Sequence, residues 1–115
     1  MRPLKKEKTE EILRKLTADF VLRESTPASL ITITRVELSE TGKSAHLYFS
    51  TLPESQEDTA LKFLMRKGGE LNDFVKKNSR IGIVPHLGWK IDYGERNRQR
   101  LDEITQVMEE NGEIV

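Results

Sequence analysis

The stretch FLMRKGGELNDF (residues 63–74) has the pattern of one amphipathic helix interrupted by a glycine pair. Ala60, Phe63 and Leu64 supply an apolar face before the pair, and Leu71, Phe74 and Val75 resume it afterwards, so the spacing predicts two helices meeting at a break. Glycine in a helix interior costs about 1 kcal/mol against alanine, and two in succession require a cause. Two causes stay open. The pair only turns the chain, ending one helix and starting the next at an angle, or it also leaves the first-turn amides of the second helix open to a phosphate. Glu70 opposes the second, because an acid itself suits a helix N-terminus.

Working outward, Ile12, Leu13, Leu16 and Phe20 recur at helical spacing between Leu4 and Leu22, ahead of the loop RESTPAS (23–29) with its Pro27. The β-branched run SLITITRVELS (29–39) predicts a strand. Its alternation changes phase, with Ile31 and Ile33 on one parity and Val36 and Leu38 on the other, which predicts a bulge near Thr34 and Arg35. A turn at Gly42 leads into SAHLYFSTL (44–52), where Ala45, Leu47 and Phe49 share one face and His46, Tyr48 and Ser50 the other; so short a connection implies an antiparallel hairpin, closed by Pro53. After the helix pair, RIGIVPHLGWKIDYG (80–94) predicts the last strand, with the residues up to Pro85 at a strand entry or an edge. Leu101, Ile104 and Met108 space a C-terminal helix that runs into the acidic EENGEIV (109–115). The order is helix, strand, strand, helix, kink, helix, strand, helix, an α+β layer arrangement with one sheet face on helices.

The chain has 115 residues and no cysteine, which fits a single domain and excludes disulfides and thiolate metal sites. Its N-terminus is charged where a signal peptide would be apolar, and no apolar run approaches membrane-spanning length, so a soluble cytoplasmic protein is expected. Net charge is zero but unevenly placed. Residues 61–100 carry ten cations against four anions, a net +6, and residues 101–115 carry five acids and no cation. Lys62, Arg66, Lys67, Lys76, Lys77 and Arg80, with Arg96, Arg98 and Arg100, are therefore candidates for a positive face whose field is local over roughly 10 Å. The alternative is that they only solvate helix surfaces.

Nothing in the chain assembles a catalytic centre. His46 and His86 are the only histidines and neither has a third ligand nearby in sequence. Adjacent acids such as Glu10 and Glu11 diverge around a helix axis. No phosphate-wrapping Gly-x-x-x-x-Gly-Lys loop occurs. Phe49 and Trp89 have the chemistry to stack on bases, but they share parity with aliphatic neighbours, which favours core packing. Binding without turnover, cofactor or metal is expected.

The element order, with a glycine-containing break between the second and third helices, resembles a type II KH domain, a single-strand nucleic-acid module whose Gly-x-x-Gly loop clamps the backbone. EEILRKL (10–16), ITITRVELSETGKSAHLYFS (31–50), RIGIVPHLGWKIDYG and RQRLDEI (98–104), in this order and at these separations, resemble the ribosome-binding factor A family over roughly residues 5–105. That resemblance implies a KH-like three-stranded sheet packed on helices, with a kinked helix pair in place of the clamp loop. It places the family's Ala-x-Gly kink on Lys67, Gly68 and Gly69, with Lys67 departing from the usual alanine. It further implies a monomeric bacterial factor, active in cold adaptation, that binds small ribosomal subunit RNA and assists late maturation and processing of the precursor. The expected organisation is a KH-like RNA-binding domain over residues 1–110 and a short acidic tail over 111–115. Gly68 and Gly69 join the nine cations as expected RNA contacts. The runner-up is a non-catalytic protein-interaction or small-ligand regulatory module.

Overall fold

The structure, a computed structural model, describes residues 3–24 and 30–94. Helix α1 spans Pro3–Glu24, strands β1 and β2 span Leu30–Leu38 and Ser44–Leu52, helices α2 and α3 span Glu57–Arg66 and Gly68–Asn78, and strand β3 spans His86–Ile91. A single 3-10 turn, Glu54–Gln56, follows the cis Leu52–Pro53 peptide and leads into α2. The expected C-terminal helix and Arg96, Arg98 and Arg100 lie outside the described residues.

The sheet runs β1-β2-β3, with β1 antiparallel and β3 parallel to β2. A parallel neighbour cannot be reached by a tight turn, so α2 and α3 form the crossover that carries the chain back. The hairpin turn places Gly42 at φ 74°, a conformation that costs glycine nothing, and Ser39 N donates to Ser44 O at 2.8 Å across it. In β1 the register shifts between Ile33 and Arg35, so Thr34 is an extra residue bulged out of the ladder. That insertion is why the apolar parity changes: Ile33 precedes it and Val36 and Leu38 follow it, and all three are buried on one face.

Leu13, Phe20 and Val21 of α1, Ala60 and Leu64 of α2, and Leu71 and Val75 of α3 close on Ile33, Val36, Leu47 and Phe49 to form one core. Leu13, Leu47, Phe49 and Val75 have no exposed surface, and a leucine so placed is worth about 2–5 kcal/mol against alanine. Three differences from the pattern have physical causes. Helix α1 continues two residues beyond Leu22, where Arg23 stacks over the Phe74 ring at 5.6 Å and Glu24 pairs with Lys67. Ile12, on the expected apolar stripe, is 42% exposed because Leu13 and Thr17 take the centre of the contact. Ser50, expected outward, is buried on the central strand, where it pairs with Thr32 of β1. The Thr17 hydroxyl is buried in this core with no hydrogen-bond partner among the described residues.

Candidate nucleic-acid interface

Helices α1 and α3 pack antiparallel, which brings sequence-distant charges together at two ends. At one end the chain breaks at Lys67, the only residue between α2 and α3. Its φ of −89° and ψ of 5° bend the path without a left-handed residue. Lys67 N donates to Phe63 O at 3.2 Å and Leu71 N donates to Lys67 O at 2.9 Å, so the two hydrogen-bond ladders share this one residue. The expectation that the glycine pair ends α2 is therefore corrected: Gly68 and Gly69 begin α3, with no positive φ at either, and the bend belongs to Lys67.

A Cβ built on Gly68 or Gly69 meets nothing within 4 Å, so neither glycine is demanded by packing. Both leave the start of α3 uncovered, and Lys67 gives it no side-chain cap. The surroundings are not uniformly positive. Lys67 Nζ lies 3.6 Å from Glu24 Oε2 and 3.3 Å from Glu70 Oε2, and Asp73 sits on the same side next to Phe74. One cation held by two carboxylates has little charge left for a phosphate.

Lys62 and Arg66 stand exposed on the outer face of α2, on either side of Met65, which is 65% exposed. Lys76, Lys77 and Arg80 stand exposed at and just beyond the other end of α3, about 15 Å from the kink by helical rise. Sequence reasoning missed what joins them there. Lys5 and Lys8, on the first turns of α1, line the same shallow groove as Arg80. None of the ion pairs among the described residues involves Lys5, Lys8, Lys62, Arg66, Lys76, Lys77 or Arg80. The first turn of α1 also holds no acid, so the helix dipole adds to the positive potential of Lys5 and Lys8.

Between these ends a second groove of about 530 Å³ follows the outer edge of β3, with Leu61 and Met65 of α2, Gly68 and Leu71 of α3, and His86 and Trp89 on its walls. Phe49 is wholly buried, as its parity predicted. Trp89 does both things at once: it packs edge-on against Phe49, ring centroids 6.3 Å apart, and presents its other side to the groove. His46 and His86 are exposed, and no three histidine, cysteine or acidic side chains cluster at metal-binding distance among the described residues.

Similarity to known proteins agrees with this geometry. The family model described as ribosome-binding factor A matches residues 5–105. Ribosome-binding factor A of Thermosipho africanus is 32% identical, over 97% of this chain and 98% of the relative. The crystal structure of ribosome-binding factor A from Thermus thermophilus superposes with a TM-score of 0.68 at 25% identity, covering 75% of this chain and 93% of that one. Coordinates of the Thermus thermophilus factor fitted into the cryo-EM map of a 30S–RbfA complex give a TM-score of 0.61 at 25% identity, over 69% of this chain and 86% of that one. With the KH-like order of strands and helices, a kink where the Gly-x-x-Gly clamp would be, and a match spanning nearly the whole chain, the protein belongs to the ribosome-binding factor A family.

Proposed function

We propose that this chain docks on the RNA of the small ribosomal subunit and assists late maturation and processing of its precursor, as a binding factor without turnover of its own. The observation that carries this is its likeness to the Thermus thermophilus factor that has been fitted on a 30S particle. The surface chemistry supports it. Lys5, Lys8 and Arg80 at one end, Lys76 and Lys77 beside them, and Lys62 and Arg66 on α2 offer phosphates cations that form no ion pair among the described residues, while the β3-edge groove offers the Trp89 ring to an unstacked base. Gly68 and Gly69 contribute by absence of side chains. Lys67 contributes to the shape of the kink more than to its charge. No helix among the described residues is long and apolar enough to cross a membrane.

Co-sedimentation of the full chain with small subunits across a salt series tests the proposal. If about four phosphates are neutralised, log affinity falls with a slope of roughly −3.6 against log salt, so a four-fold rise in salt weakens binding about a hundred-fold. A chain that fails to pellet with small subunits at low salt, or pellets independently of salt, is not an electrostatic RNA-docking factor.

A further inference from the structure

The segment between α3 and β3, residues 79–85, is short and tied down at both ends. Ser79 Oγ donates to Val75 O at 2.7 Å and accepts from Ile81 N at 3.3 Å. At the other end Pro85 is buried, and His86 N donates to Lys43 O at 2.9 Å. Ile81 and Val84 pack against the core. Ile83, between them, does the opposite: it is 89% exposed, more than any other large apolar side chain among the described residues. Gly82, exposed beside it, adds no side chain to cover it.

A lone exposed aliphatic is ordinary on a protein surface, but this one stands among charges. Ile83 lines the groove of about 360 Å³ together with Lys5 and Lys8 of α1 and with Arg80, and no acid lines that groove among the described residues. None of the three cations forms an ion pair there. A polyanion is the complement of such a rim. Docking through phosphates alone leaves the isoleucine unused. The groove has no aromatic lining either, so a base has no ring to stack on, in contrast to the Trp89 groove. The use that nucleic-acid binders make of an aliphatic side chain is insertion: it is pushed between two stacked bases while cations hold the flanking phosphates. Insertion needs a projecting side chain on a held backbone, which is what residues 79–85 supply. A peptide-docking groove needs the reverse, apolar side chains recessed in its floor.

We infer that Ile83 is a wedge that enters the base stack of the bound RNA, at a helix end or junction, while Lys5, Lys8 and Arg80 hold the phosphates on either side. The inference deepens the proposed docking function and rests on it. Opening a stacked step costs least where pairing is already interrupted, so the loop end selects loosened helices over continuous duplex. Incompletely folded RNA offers such steps. The ties at Ser79 and His86 keep the segment from folding Ile83 away, so little ordering is left for the moment of binding.

Acylation of ribose 2′-hydroxyls, on small subunits and on their protein-free RNA, tests this with the full chain. The parent is expected to protect one segment and to raise reactivity at about one or two nucleotides inside or beside it, where the stack opens. Ile83→Ser removes the wedge at a site too exposed to disturb the core. It should keep the protection and lose the raised reactivity, with affinity within about ten-fold of the parent, because the wedge contacts and the unstacking cost vanish together. Ile83→Met, still apolar, should retain both effects. Raised reactivity that survives in Ile83→Ser, or that is missing from a clear parental footprint, overturns the wedge and leaves docking intact. If Ile83→Met loses it as well, the apolar side chain is not the cause and the wedge is rejected. Weaker binding of Ile83→Ser to intact subunits alone, with parental reactivity on protein-free RNA, sets Ile83 against a protein and also overturns the inference. A parent that leaves no footprint removes the docking function, and the wedge with it.

Discussion

The two ends of the α1–α3 pair both carry cations and use them differently. At the kink, Lys67 is neutralised between Glu24 and Glu70, within 4 Å of each. At the loop end, Lys5, Lys8 and Arg80 share a groove without a carboxylate partner among the described residues. A paired surface cation gives at most about 1 kcal/mol to the fold and keeps its field close to home, whereas grouped unpaired cations sum their fields and repel each other until an anion arrives. Counting charge along the sequence cannot separate the two cases. The partner of each cation decides which are held within the fold and which stay available to an incoming anion.

The strongest challenge to that contrast is charge reversal at the loop end. Lys5→Glu, Lys8→Glu and Arg80→Glu combined should lower subunit affinity about a thousand-fold, since each lost charge-assisted contact costs roughly 1.5 kcal/mol. Filter binding to small-subunit RNA measures it, and a loss under ten-fold would relocate the interface. Next comes α2: Lys62→Ala with Arg66→Ala should weaken binding by up to about a hundred-fold and lower the salt slope by roughly two. An unaltered slope would mean that neither side chain meets a phosphate.

At the kink the effects shrink. Gly69→Asp should weaken RNA binding about five-fold through repulsion near the start of α3, while Gly69→Ala should bind normally and melt at or above the parent, because a Cβ there meets open space at negative φ. Equal loss of binding in both variants would show that bulk, not charge, matters at that glycine. The smallest change is expected for Lys67→Gln. Its affinity should stay within about two-fold of the parent and its stability should fall by no more than about 1 kcal/mol, read by urea denaturation. A large drop in affinity would mean that Lys67 leaves its carboxylates to bind RNA.

The strands were legible because a sheet with one buried face writes an alternating pattern, and even the bulge announced itself as a change of parity between Ile33 and Val36. The position of the kink was legible too, since glycine breaks a helical pattern. Its mechanism was not: the bend sits on Lys67, an ordinary helix former whose conformation no composition rule marks. The loop-end cluster was illegible for another reason. Lys5 and Lys8 are more than seventy positions from Arg80 and meet it only through antiparallel packing of α1 on α3. Lys67 shows both limits, for its pairing with Glu70 follows from i,i+3 spacing, whereas Glu24 arrives from another helix.

The bulge at Thr34 has a consequence for how this fold can change length. Ile33 pairs with Phe49 and Arg35 with Tyr48, which leaves Thr34 as a spare residue that the ladder does not need. Removing it would keep every cross-strand pair and restore a plain in-out alternation from Ile33 to Leu38. Only its own bonds would go, the 2.6 Å link from the Thr34 hydroxyl to Asp92 Oδ2 and the 3.3 Å link to Tyr48 O. Loss of one residue on either side of it could be absorbed in the same way, by sliding Thr34 into the vacated place at the expense of the Asp92 tie. A Thr34 deletion should therefore melt cooperatively with the core intact, and an aggregated or non-cooperative product would mean that the tie between the first and last strands is what holds the register. The first strand thus contains its own slack, a position where an ancestral or engineered chain can shorten by one without turning its side chains inside out.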